Sequence, residues 1–190
     1  MKNLRQSPPV WLVLAGCLLF GLLMALFKGR LRDELGNLSA PWILLAFGSS
    51  VLTASGRILR GVLIGTVGVS LAFVGFYPLG ETLVFHISIL HGLADGVWWS
   101  RTGLVAGPVF GALGALEGRS RRGRLWFVMS VLVILEPFAW IGYWAVTVGN
   151  ATVGHLELVA YAIEVAVGIL ACVFVARRFG ILRRTQTPLG

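Results

Sequence analysis

The sequence predicts an all-α protein, a polytopic bundle of about six membrane-spanning helices with an extra amphipathic or re-entrant helix before the fourth span. Hydrophobic residues make up 57% of the 190 residues, and the mean hydropathy is +0.85, whereas soluble domains average about 45–50% apolar residues. Several apolar runs approach the roughly 20 residues that cross a bilayer. Basic residues concentrate in the short segments between these runs. We therefore interpret 1–190 as a single integral membrane domain.

The first three spans are predicted at 10–27, 41–55 and 61–79. A short basic leader precedes the first apolar run, and no small-residue cleavage site follows it cleanly, so we expect an uncleaved helix. Glycines recur on neighbouring turns of the third run, which predicts close helix packing there. Tyr77 and Pro78 are expected to end this span at the membrane interface, where amphipathic aromatic residues concentrate.

The stretch 81–117 is too long for one straight span, because as a helix it would reach about 55 Å. Its glycines and Pro108 offer points at which a helix can break. We predict two pieces, an amphipathic or partly inserted helix at 82–98 and the fourth span at 102–116. The sequence leaves open whether the first piece crosses the membrane, re-enters it or lies on its surface.

The fifth and sixth spans are predicted at 125–148 and 156–176. With both termini in the cytoplasm, most of the 16 basic residues fall in cytoplasmic segments, as the positive-inside rule requires. The exceptions include the basic residues of 28–32. A full crossing by 82–98 would move the four-arginine loop outside, so six spans are favoured over seven. Composition favours a bacterial source and hence the cytoplasmic (inner) membrane.

The net charge of +8 does not indicate a nucleic-acid partner, because no basic face lies on a soluble element. Basic loops at an anionic leaflet instead predict contact with membrane lipids. Cys17 and Cys172 both lie in apolar runs, where we expect small packing residues rather than a disulfide or metal pair. No cofactor is predicted, since phosphate-loop and dinucleotide fingerprints do not occur.

Polar residues in the helix predicted at 82–98 fall on one face. Glu81, Ser88, His91 and Asp95 are spaced as neighbours on an α-helix. His91 and Asp95, at i and i+4, could share a metal or a proton. Three interpretations remain open: an interfacial helix with its polar face in water, the lining of a cavity, and a metal site.

Glu136 lies near the middle of the fifth apolar run, and Pro137 after it predicts a kink. Trp140 and Tyr143 follow at i+4 and i+7 and share its face. A buried carboxylate beside aromatic rings suits a cationic ligand or a proton relay. The alternative is a protonated glutamate, or one paired with Arg101 to fix helix packing.

The sixth span carries a second polar stripe formed by Glu157, Tyr161 and Glu164. If the stripes converge, their acids form a pocket open to the outer side with Arg101 as its counter-charge. The predicted ligand-binding residues are Glu136, Glu164, Asp95, His91, Trp98, Trp99, Trp140, Tyr143, Tyr161 and Arg101.

Sequence motifs add two likenesses. With GNLSAPWILLAF, GFYPLG, VWWSRTGLVAGPVFGALGAL and a glutamate-bearing fifth span, the chain resembles, over 11–177, a family of small polytopic bacterial membrane proteins classed as a domain of unknown function. That likeness implies no catalytic residues. In size and span count the chain also resembles the S components of energy-coupling-factor transporters. Those proteins pack small-residue faces of early helices against a coupling subunit, and Gly16, Gly21 and Ala25 would form such a face.

Three functions follow from these features. The favoured one is binding or transport of a small cationic or amphipathic solute through an acidic, aromatic pocket. The second is a non-catalytic membrane subunit whose glycine faces dock a larger transporter or envelope complex. The third is a membrane enzyme acting on lipid through His86, His91 and Asp95. We do not expect an enzyme, and no catalytic residue is assigned.

Overall fold

Apolar runs bounded by glycine, proline or charged residues form helices in the part of the chain that the structure describes. The structure is a computed structural model that describes residues 8–31, 39–148 and 154–180. These residues form α-helices and no strand, which confirms the predicted all-α class. The helices are α1 (Val10–Leu31), α2 (Ala40–Thr53), α3 (Ile58–Val74), α4 (Thr82–Phe85), α5 (Ile89–Ser120), α6 (Arg124–Val148) and α7 (His155–Phe179), and a π-helical turn (Gly75–Glu81) joins α3 to α4.

Several of these helices are compatible with a membrane protein. By length and composition, four helical stretches of the described residues can cross a bilayer: Val10–Lys28, Ile58–Phe85, Arg124–Thr147 and Glu157–Phe179. The shorter apolar helix α2 has 14 residues. α5 is not among the four, because its glycines and polar residues lower its hydropathy, although the sequence predicts the fourth span within it. The count of six spans and the orientation of the termini stay predictions.

The chain divides into two compact units, Met1–Ser120 and Arg121–Gly190. In unit 1, α3 packs against α1, α2 and α5, and the π-helical turn packs against α1 and α5. In unit 2, α6 packs against α7. That the two units form one membrane domain stays a prediction.

Aromatic rings fill the core of unit 1. Trp42 of α2 lies 4.9 Å from Phe73 and 5.5 Å from Phe76, measured between ring centroids. Phe76 in turn contacts Tyr77 edge to face at 4.8 Å. Such contacts add to the burial of apolar area. They tie the π-helical turn to α2 and α3.

Glycines bring the backbones of α3 and α5 into direct contact, as their spacing predicts. A β-carbon added to Gly61 would lie 2.5 Å from the carbonyl oxygen of Gly111. One added to Gly65 would lie 2.7 Å from the Gly111 Cα atom. Real β-carbons do not approach so closely, so only glycine fits at these positions. Small residues on facing helices are a common means of close packing in membranes.

The structure corrects the predicted division of 81–117. α5 runs without interruption through 98–102, where we expected a break, and the chain leaves the helix instead at 86–88. His86 there has a φ of 56°, in the left-handed region. The glycines of α5 do not interrupt the helix, and several of them lie against neighbouring backbone. A β-carbon on Gly92 would lie 2.8 Å from the Tyr77 carbonyl oxygen.

The predicted end of the third span at Tyr77 and Pro78 also differs from the structure, since the helix continues to the end of α4. Pro78 has no N–H to donate, and the wider π-helical turn accommodates it. The Thr82 hydroxyl donates a hydrogen bond to the Pro78 carbonyl oxygen at 2.6 Å. Tyr77 is 9% exposed and packs inside unit 1.

Replacing Gly65 by alanine should destabilise the protein by about 1–3 kcal/mol, because the new methyl group would force α3 and α5 apart. Gly142 of α6 is the matched control, since a β-carbon there meets nothing within 4 Å. Gly142→Ala should be neutral or stabilising by up to about 1 kcal/mol through helix propensity. Thermal unfolding in detergent measures both variants, and equal effects would contradict the packing account.

Candidate functional site: an unsatisfied carboxyl group in unit 2

The two helices of unit 2 approach closely at Gly168. A β-carbon added to this residue would lie 2.6 Å from Ile134 Cγ1 and 3.2 Å from the carbonyl oxygen of Ser130. Glu164 lies one helical turn before Gly168, and Glu136 lies two residues after Ile134. The close approach thus holds the two glutamates near each other, and their carboxyl groups interact electrostatically.

Glu164 is a buried acid of unit 2. The residue is 7% exposed, and neither carboxyl oxygen has a hydrogen-bond partner in the described part of the chain. An unsatisfied buried polar group costs about 1–3 kcal/mol. Such a cost makes this group a candidate for binding a ligand.

Glu157, on the same helix, shows how an acid is satisfied in this fold. Its Oε2 atom accepts a hydrogen bond from the backbone N–H of Gly154 at 2.9 Å, which caps the start of α7. A negative charge at a helix N-terminus also interacts favourably with the helix dipole. α7 therefore carries one acid that caps the helix and a second that lies buried and interacts with Glu136.

Aromatic residues lie on the same helices as the two glutamates. On α6, the rings of Trp140 and Tyr143 meet edge to face, with centroids 5.9 Å apart. On α7, Tyr161 lies one turn before Glu164 and has Glu157, Glu164 and Glu136 as electrostatic neighbours. Ring faces next to carboxylates are typical of sites that bind organic cations.

The remaining predicted residues belong to α5 in unit 1. His91 Nε2 and Asp95 Oδ2 are 3.7 Å apart, and the side chains are 66% and 49% exposed. Trp99 and Arg101 are exposed as well, and Trp98 lies on α5 with its side chain outside the described residues. The convergence of Asp95 and Arg101 with the glutamates of unit 2 stays a prediction.

The sequence interpretation missed a buried ion pair in unit 1. Lys28 Nζ lies 3.6 Å from Glu81 Oε1 and 5.3 Å from the centroid of the Phe76 ring. Glu81 was assigned to the polar stripe of His91 and Asp95, but it ends the π-helical turn and is 5% exposed. In the sequence, this pair is indicated by Lys28 at the end of the first apolar run and Glu81 at the end of the third.

Metal ligation has little support from the described residues, because they bring no group of three or more His, Cys, Asp or Glu side chains together. Cys17 and Cys172 are free thiols. The His91–Asp95 pair supplies two candidate ligands on an exposed helix face, which falls short of the three or four protein ligands of zinc sites.

Comparisons with protein-family models, with curated proteins and with solved structures find no match. The likenesses to a bacterial membrane-protein family and to transporter S components therefore stay predictions. Function has to be inferred from the arrangement of the side chains.

Replacing Glu164 by leucine should stabilise the protein without added solute by about 1–3 kcal/mol, because the unsatisfied carboxyl group is removed. Glu157→Leu is the control in the same helix and should destabilise by about 1 kcal/mol, because the cap at Gly154 loses its acceptor. Thermal unfolding in detergent gives both values. A loss of stability in Glu164→Leu as large as that in Glu157→Leu would show that Glu164 has a structural partner.

Proposed function

We propose that the chain is a membrane protein that binds and transports a small cationic or amphipathic solute at the Glu136–Glu164 pair. The observation that supports this proposal is the burial of Glu164 with both carboxyl oxygens unpartnered among the described residues. Acids at membrane depth are costly and are therefore functional-site hypotheses by default.

The charge of the ligand follows from the pair itself. Glu136 and Glu164 interact through their carboxyl groups, and two carboxylates at short range in an apolar setting repel each other unless they share a proton. A positive charge beside them lowers the free energy of the pair. A protonated amine can at the same time donate hydrogen bonds to the oxygens of Glu164, whereas a quaternary ammonium group supplies positive charge alone.

The aromatic residues favour an organic cation over a bare metal ion. Tyr161 is an electrostatic neighbour of both glutamates, and Trp140 and Tyr143 extend the ring surface along α6. Rings bind ammonium groups through their faces and bind attached apolar groups through their area. The ligand class is therefore an amine or quaternary ammonium compound with an apolar part.

Access from the bilayer suits such an amphipathic solute. Large apolar side chains of α6 and α7 are exposed, with Phe138 at 60% and Ile163 at 56%. A molecule with a charged head and an apolar body partitions into the membrane interface. It could reach a carboxyl pair on these helices without passing through bulk water.

Contacts inside unit 1 argue against docking of a partner through the glycine faces. The glycines proposed to receive a partner already contact neighbours inside unit 1, Gly21 against Ala72 and Gly65 against Gly107 and Gly111. Gly16 alone of the proposed α1 face meets nothing within 4 Å, and Ala25 is fully buried. These contacts favour solute binding over docking through the glycine faces.

Binding can be tested by thermal unfolding of the purified protein in detergent with primary amines and quaternary ammonium compounds, up to benzyltrimethylammonium, each beside an uncharged isostere. At a hundredfold excess over Kd, a ligand stabilises by about 2.7 kcal/mol. We expect at least one cation to stabilise the wild type and Glu157→Gln, but neither Glu136→Gln nor Glu164→Gln.

Uptake of the same cation into proteoliposomes then distinguishes transport from binding alone. The proposal fails if no cation of the series stabilises the wild type, or if Glu164→Gln responds as strongly as Glu157→Gln. The second result would show that the cation binds without the buried carboxyl group.

A further inference from the structure

The buried ion pair of unit 1 leaves a carboxyl oxygen unused. Glu81 is 5% exposed, and its Oε2 atom has no hydrogen-bond partner in the described part of the chain. The contact of Oε1 with Lys28 Nζ, at 3.6 Å, is longer than the roughly 2.7–2.9 Å of a hydrogen-bonded ion pair. Lys28 thus satisfies this carboxylate incompletely. A bound cation would contact this unused oxygen and add positive charge beside the carboxylate.

The charges around Glu81 point the same way. The charged neighbours that act on this carboxyl group are Lys28, Asp95 and His91, and Tyr77 lies close to both acids. Among the described residues, the acids Glu81 and Asp95 outnumber Lys28, which favours a bound cation.

The end of a helix near Glu81 favours a cation there. Glu81 ends the π-helical turn, and such turns occur frequently at functional sites. The continuous helix from α3 ends one turn later, at the end of α4, and the C-terminus of a helix carries partial negative charge. Carboxylate and carbonyl oxygens are the ligands that hard cations prefer.

We propose that unit 1 contains a second site, distinct from the solute site of unit 2, in which Glu81 Oε2 and nearby backbone oxygens bind a monovalent metal cation of the sodium class, with Asp95 contributing negative charge. The ammonium group of Lys28 competes with such a cation for Glu81. It lies 3.6 Å from Glu81 Oε1 and 5.3 Å from the centroid of the Phe76 ring. The proposal does not depend on the ligand of the Glu136–Glu164 pair.

The test is a sodium titration of thermal unfolding for the full chain in detergent, with N-methyl-D-glucamine replacing sodium at constant ionic strength and pH. We expect a saturable rise of Tm in the wild type and in Glu164→Gln. Glu81→Gln should abolish the rise. Lys28→Gln should lower the sodium concentration at half-maximal effect by about tenfold, because it removes a like charge next to the site.

Lys28→Gln and Glu81→Gln should change the sodium dependence of Tm in opposite directions. This distinguishes a sodium site from a structural ion pair. If Lys28→Gln and Glu81→Gln lose the sodium effect alike, or if the wild type shows none, the proposal is wrong. Should Glu81→Gln not fold, Asp95→Asn serves instead, because Asp95 is exposed. That variant should raise the half-maximal sodium concentration about threefold or more through the lost charge, and an unchanged value would overturn the proposal.

Discussion

A carboxyl group enclosed by apolar helices and lacking hydrogen-bond partners is the constraint on which this account of the protein rests. Glu164 is in that position in unit 2, and its carboxyl group interacts with that of the neighbouring Glu136. A fold can hold such a group only if packing elsewhere stabilises it. Proteins commonly accept local instability where they bind ligands. The unsatisfied acid is therefore more informative about function than the helices around it.

Close backbone contact provides the compensating packing. Gly168 lets α7 reach the backbone of α6 beside the two glutamates, and Gly61 and Gly65 do the same between α3 and α5. Helices in a bilayer gain little from apolar burial against each other, so their association depends on shape and short-range contact. Positions where only glycine fits therefore determine which polar side chains meet. In unit 2 they bring Glu164 to Glu136.

Periodicity and hydropathy predicted much of the fold. The spans expected at 125–148 and 156–176 correspond to α6 and α7 within a few residues, and spacing alone placed Trp140 next to Tyr143. The positions at which helices end were predicted poorly. The glycines of α5 allow contacts with other helices, and a local sequence pattern does not encode such contacts. The Lys28–Glu81 pair joins residues far apart in sequence, and such pairing follows from tertiary packing alone.

The central claim is that Glu164 keeps its carboxyl group available for a positively charged ligand. Infrared difference spectroscopy of the carboxyl stretch, recorded on adding a stabilising ammonium compound to the reconstituted protein, observes this group directly. The account predicts a carboxyl band that changes on binding in the wild type and in Glu157→Gln and disappears from the difference spectrum of Glu164→Gln. The same difference spectrum in all three proteins would contradict it.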